Sequence, residues 1–161
     1  MKDVTTPQTY QKGAWTLHML RGLMGDDRFW AGIRGYYRRY RDAVASTADF
    51  RHATEEAAGS DLGWFFDEWL YRGGLPRIEG GWHYDPVAKR IEIELNQRQP
   101  GPAFGMPIDI AIMTTGTETR IERVQIGERM GAFSIPSDHP PASVVIDPDV
   151  WALMDVAFTK R

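Results

Sequence analysis

Apolar side chains recur at three- and four-residue spacings through the first half of the chain and alternate with polar ones through the second. The first spacing marks a helix face, the second a half-buried strand. Between Thr6 and Met24, the residues Ala14, Trp15, Leu17, Met19, Leu20, Leu23 and Met24 cover most of a helical circumference, which predicts a helix with neighbours on several sides. Thr6 and Pro7 open it, because threonine caps free amides and proline loses nothing by lacking an N–H in the first turn. Gly25 closes it. Asp26 or Asp27 then caps a second helix that carries Phe29, Trp30, Ile33, Tyr36, Tyr37 and Tyr40 as one aromatic face. Ser46-Thr47-Ala48-Asp49 has the form of a capping box and opens a short third helix through Glu55 and Glu56 to Gly59. Ser60 or Asp61 caps a fourth, from Leu62 to about Tyr71, with Trp64, Phe65, Phe66, Trp69 and Leu70 as its apolar residues. Gly73-Gly74-Leu75-Pro76 stops it.

From Arg77 onward the texture is that of strands. Ile91 to Asn96, Ile108 to Ile112 and Ile121 to Ile126 alternate, Ser143 to Ile146 is more uniformly apolar, and Gly81 to Tyr84 and Ala132 to Ile135 are two shorter runs. Turn residues separate them at Asp85-Pro86, Pro100-Gly101-Pro102, Thr115-Gly116, Gly127 and His139-Pro140-Pro141. The expected fold class is α+β. An all-helical segment of about four helices, residues 1–76, precedes a small antiparallel β-sandwich, residues 77–161, with the boundary between Gly73 and Pro76.

Composition narrows the functional classes. With 42% hydrophobic and 12% aromatic residues in 161, there is enough apolar material for a folded core. The net charge of -3 is nearly evenly spread, so neither half has the basic footprint of a nucleic-acid partner. The absence of cysteine excludes disulfides, thiolate nucleophiles and Cys-type zinc sites. No run of about 18 apolar residues reads as a membrane segment, and the first residues lack the basic, apolar, small-residue order of a signal peptide.

Candidate chemistry is sparse. His18, His52, His83 and His139 do not form the i, i+4 histidine pair of helical zinc hydrolases. His52 and Glu55 stand three apart, which a surface helix pair explains as well as a metal does. His18 reads as a packed histidine. There is no G-x-S-x-G nucleophile turn, and Gly73-Gly74 and Gly80-Gly81 lack the strand-loop-helix setting of a phosphate loop. Glu55-Glu56 and Asp67-Glu68 are adjacent on helices and point about 100° apart, so neither is a shared-proton dyad. Arg34, Arg38, Arg39 and Arg41 read as a solvated face balanced by acids such as Asp42 rather than an anion site. Tyr10 is either a packing ring or a fixed phenol donor, since a hydroxyl with a pKa of about 10 stays protonated at neutral pH.

In order, Tyr10-Gln11-Lys12-Gly13-Ala14, Leu17-His18-Met19-Leu20-Arg21, Gly25-Asp26-Asp27-Arg28-Phe29, Tyr36 to Tyr40, Ser46-Thr47-Ala48-Asp49-Phe50, Asp61 to Leu70 and Gly74-Leu75-Pro76 resemble the second half of the aminopeptidase N family of zinc metallopeptidases, the gluzincins. The likeness spans residues 5–76, and Gln97, Gln99, Phe104, Met106, Pro107 and Asp147-Pro148 look more loosely like the sandwich that follows the catalytic domain there. The resemblance implies the C-terminal helices of a thermolysin-like catalytic domain followed by a β-sandwich. It also implies that Tyr10 donates its hydroxyl to the oxyanion of the tetrahedral intermediate. In that family the zinc ligands, the general-base glutamate and the amino-terminus-binding motif lie upstream, and none is in this sequence. The chain is therefore expected to be a fragment without cofactor or metal ligands of its own, inactive alone, with the upstream zinc-binding half of the same polypeptide as its partner and a peptide as the parent's substrate. Lys12 and Gly13 carry no chemical step; Lys12 orients the local chain and Gly13 allows close helix approach. The alternative is a non-catalytic peptide- or protein-binding module in which Trp64, Phe65, Phe66 and Trp69 form the contact surface.

Overall fold

The computed structural model describes residues 7–114 and 119–161. The Thr6 cap and the Thr115-Gly116 turn expected above lie outside them. The chain divides into two compact units, Met1–Gly73 and Gly74–Arg161, giving the α+β class read from the periodicities.

The first unit is helical: α1 (Pro7–Met24), α2 (Asp26–Tyr40), α3 (Thr47–Ala58) and α4 (Gly63–Phe66), which continues into a π-helical turn, Asp67–Tyr71. Each boundary has a local cause. Gly25 takes the left-handed backbone (φ 78) between α1 and α2. Asp26 and Asp27 lie inside the first turn of α2 instead of capping it, where their charge meets the positive helix end and Asp26 takes a bidentate pair from Arg21 at 2.7 and 2.8 Å. The capping box of α3 is present in full: Ser46 Oγ accepts from Asp49 N, and Asp49 Oδ2 accepts from Ser46 N at 2.8 Å. Asp61 Oδ1 accepts from Gly63 N at 2.6 Å, and Glu55 Oε1 from Leu62 N at 3.0 Å, so two amides at the start of α4 are satisfied by side chains.

The helical core holds Met19, Leu20, Met24, Phe29, Ala53, Leu62, Phe65, Phe66 and Trp69. α2 and α3 meet at Gly32, where an added Cβ would stand 3.4 Å from Thr54 Cγ2 and Ala57 Cβ. A run of ring contacts, Tyr36–Tyr40 (5.3 Å), Tyr36–Phe50 (5.2 Å) and Phe50–Phe66 (6.1 Å), carries packing from α2 through α3 to α4. Two expectations fail here. α1 is not surrounded: it buries one stripe, Thr16, Met19, Leu20 and Met24, while Ala14 and Leu17 face out, because the described residues of this unit pack on only one side of it. Nor is Gly13 a point of close helix approach, since an added Cβ there meets nothing within 4 Å.

The second unit is a sandwich of a four-stranded sheet, order β5-β2-β1-β7, and a three-stranded sheet, order β4-β3-β6. Its strands are β1 (Arg77–Asp85), β2 (Arg90–Gln97), β3 (Met106–Met113), β4 (Thr119–Ile126), β5 (Met130–Pro136), β6 (Ser143–Ile146) and β7 (Asp155–Lys160). Alternation sorts Ile91, Ile93, Leu95, Ile108, Ile110, Val124 and Ile126 into the core. β7 is an addition to the six strands expected, and it pairs with β1 in parallel, Arg77 opposite Asp155 and Trp82 opposite Lys160. Gly80 and Gly81 lie mid-strand in β1. A Cβ on Gly80 would collide with the Glu94 carbonyl, and one on Gly81 would sit 2.6 Å from that of Thr159, so these glycines serve close strand approach.

A buried amide pair closes the connection between β2 and β3. Gln97 Nε2 donates to the carbonyls of Phe104 (2.8 Å) and Glu128 (3.2 Å), while its Oε1 accepts from Phe104 N (2.8 Å) and Gln99 Nε2 (2.8 Å). Gln99 Oε1 accepts from Arg77 N at 3.1 Å, tying the start of β1 to the same point. The Arg129 guanidinium donates to the carbonyls of Gln97 (3.1 Å), Gln99 (2.6 Å) and Gly101.

Several surface carboxylates, Asp61 exposed and Asp49 and Asp85 half-buried, are tuned by the turns they build. Hydrogen bonds from the Ser46 hydroxyl and amide and from Tyr40 hold Asp49 below the usual carboxylate value, the Gly63 amide does the same for Asp61, and those of Ala88 and Val87 for Asp85. A carboxylate whose folded pKa lies below its unfolded value of about 3.9 adds stability that is fully present above that value and is lost as pH falls through the lower folded one. Both units are therefore expected to lose stability below about pH 4. Urea-unfolding midpoints at pH 6 and pH 3 check this: Asp49→Asn and Asp85→Asn should each shrink the acid-induced fall, and an unchanged fall in both would reject the assignment.

Candidate functional site

Tyr10 stands in the first turn and a half of α1, three residues after Pro7. Its side chain is 72% exposed. The ring therefore does not pack beneath the next turn of its own unit. Two residues on, Lys12 turns the other way: its half-buried side chain donates to the carbonyl of Arg72 at 3.1 Å, and its own carbonyl accepts from Thr16 Oγ1 at 2.8 Å. Along the exposed side, Gly13 and Leu17 line a cleft of about 370 Å³ together with Tyr36, Phe50 and Phe66.

That open space gives Gly13 a measurable signature. Glycine inside a helix costs roughly 0.5–1 kcal/mol relative to alanine, and nothing here obstructs a methyl group. Gly13→Ala is expected to raise the stability of this chain by about that amount, read as an increased urea midpoint at unchanged slope. A destabilised variant would show a contact at Gly13 that the helical unit does not supply.

Several other titratable groups pair with one another. Arg39 reaches Glu56 at 3.1 Å and Arg41 reaches Asp42 at 2.8 Å, so these arginines belong to the solvated, acid-balanced face expected of them. His52 pairs with Glu56 at 3.3 Å and not with Glu55, which instead takes Arg51 at 2.7 Å; i, i+4 is the better-aligned spacing on a helix. Glu68 pairs with Arg72 at 2.9 Å. The rings of Trp15 and His18 meet edge-on at 5.6 Å, a packing role for this histidine. Among the described residues no group of three or more His, Asp or Glu side chains is arranged to hold a metal ion. No helix among them is long and apolar enough to cross a membrane.

The aromatic cluster of α4 does not form a contact surface. Phe65, Phe66 and Trp69 are each 2% exposed and belong to the core, whereas Trp64 alone turns outward at 42%. Residues that reasoning from spacing missed as outward-facing include Trp30 and Tyr37 of α2, which lie off the buried line set by Phe29 and Gly32.

Comparison with known proteins then bears on this geometry. Residues 1–69, which include Tyr10 and Lys12, match the peptidase family M1 domain. The chain is similar to aminopeptidase N-like peptidases of family M1. Over 100 residues it is 30% identical to aminopeptidase N of Escherichia coli K12, covering 62% of this chain and 11% of that protein. Over 145 residues it is 25% identical to glutamyl aminopeptidase of Sus scrofa, covering 88% and 15%. In fold, it superposes on the crystal structure of Legionella pneumophila aminopeptidase A in complex with aspartic acid with a TM-score of 0.80 at 15% identity, covering 94% of this chain and 18% of that one. The chain thus spans a small part of the length of each of these relatives.

Proposed function

We propose that this chain supplies the closing helices of a thermolysin-like catalytic domain, residues 1–76, and the β-sandwich domain after it, residues 77–161, of a zinc-dependent aminopeptidase that hydrolyses peptide bonds at N-termini. The observation that carries the reading is Tyr10, an exposed phenol near the head of a helix, inside the segment that matches the M1 domain. Its role is to donate a hydrogen bond to the oxyanion of the tetrahedral intermediate. Such a donor stabilises charge that develops only in the transition state, and it lowers the barrier because it is in place beforehand.

Two further features support this reading. Leu17 on α1 and Trp30 and Tyr37 on α2 leave apolar surface uncovered, as expected where the upstream half of the same polypeptide completes the domain. This reading assigns the zinc implied by the family likeness to the upstream half of the same polypeptide, and the Tyr10 hydroxyl is the chemistry this chain brings. The isolated chain is expected to fold, to bind no stoichiometric zinc and to leave aminoacyl substrates uncleaved. Metal analysis of the purified chain is the check: one tightly bound zinc per chain would overturn the assignment.

A further inference from the structure

Lys12 joins two helices at a point where one of them ends. Arg72 follows the π-helical turn with extended backbone (φ -87, ψ 139), and its N–H donates to the Asp67 carbonyl at 3.1 Å. The Arg72 carbonyl lies beyond the last helical turn, on the side where a helix carries partial negative charge and lacks internal donors. An ammonium brought there from a different helix is a natural partner for such an end, and the Lys12 Nζ reaches it across sixty residues of sequence.

The direction of that bond matters for Tyr10. Residues two apart on an α-helix project about 200° from one another. Lys12 is drawn in against the body of the unit, so Tyr10 is turned out, in agreement with its exposure. Tyr10 also stands near the N-terminal end of α1, and helix ends open locally at the least cost. A polar tie in the next half-turn restrains that opening and the rotation of the helix about its axis.

We propose that Lys12 is a positioning residue: its bond to the Arg72 carbonyl fixes the heading of the first turns of α1 and thereby presents the Tyr10 hydroxyl to the reacting carbonyl. The proposal rests on the reading of Tyr10 as the oxyanion donor. Lys12 touches no substrate and acts only through the helix it anchors.

The test pairs kinetics with exchange. In the metal-loaded full-length enzyme, Lys12→Met keeps the alkyl stem and removes the donor. It is expected to lower kcat roughly tenfold, within the hundredfold that a 1 Å misplacement can cost, with KM changed less than about twofold. Lys12→Arg, which still donates to a carbonyl, should restore most of kcat. In the Tyr10→Phe background, Lys12→Met should cause no further loss. In the 161-residue chain itself, amide exchange over residues 10–14 should quicken in Lys12→Met and return towards the parent rate in Lys12→Arg. Equal losses in both backgrounds, or unchanged kcat in Lys12→Met, would overturn the positioning role and leave that of Tyr10 standing. Full turnover in Tyr10→Phe would overturn the donor reading, and with it the positioning role, whatever the exchange data show. Should Lys12→Met not fold, Lys12→Leu, which likewise carries no donor, takes its place with the same expected outcomes.

Discussion

Replacing Tyr10 with phenylalanine in the full-length enzyme is expected to lower kcat by about 10²- to 10³-fold while KM changes little, the loss seen when one preorganised oxyanion donor is removed. The substitution deletes a single oxygen and keeps the ring. Because the side chain is exposed and packs against little of its own unit, the stability of the chain should move by no more than about 0.5 kcal/mol. The kinetic and stability effects are therefore separable, which is unusual for an aromatic residue in a helix. Steady-state turnover of an aminoacyl chromogenic amide, alongside thermal unfolding of the 161-residue chain, measures both. Wild-type turnover would remove Tyr10 from the chemistry; a raised KM at constant kcat would make it a substrate-binding group instead.

The second large effect lies in the sandwich. Gln97→Leu keeps approximate volume and removes every hydrogen bond made by the amide. Phe104 N and Gln99 Nε2 then lose an acceptor in a region where Gln97, Gln99 and Phe104 are all nearly excluded from solvent. With four hydrogen bonds of a buried network removed at about 1 kcal/mol each, the expected loss is about 3 kcal/mol or more. Urea unfolding followed by a probe in the second unit measures it. A loss below about 1 kcal/mol would mean that the loop between β2 and β3 rearranges to satisfy these groups, and that the amide pair does not hold it.

Much of this was legible in the chain because the relevant forces are local. Ser46 and Asp49 bond each other's backbone across three residues, so their sequence form and their structure coincide. The alternation of Ile91, Ile93 and Leu95 survives because one side of β2 is buried. Where the determining interaction is distant or purely of the backbone, the pattern is silent. β7 leaves most of its positions exposed, so it has no apolar period, and what places it is main-chain pairing with β1 nearly eighty positions earlier. The π-helical turn at Asp67–Tyr71 carries the same apolar spacing as the helix it continues, so the sequence pattern does not set it apart. For the candidate site, spacing leaves Tyr10 open between a packing ring and a phenol donor, and its 72% exposure argues against packing within its own unit. The bond from Lys12 to Arg72 has no local sequence signal at all, since its acceptor is a carbonyl that any residue would provide.

The parallel pairing of β7 with β1 also has a consequence for how the protein is made. β1 emerges from the ribosome early and finds β2 almost at once, but its other edge stays open until residues 155–160 have been synthesised. During that interval the nascent sandwich presents an unpaired strand edge, the feature most prone to recruit a wrong partner. Slower translation between β2 and β7 lengthens that interval and is therefore expected to lower the yield of soluble protein.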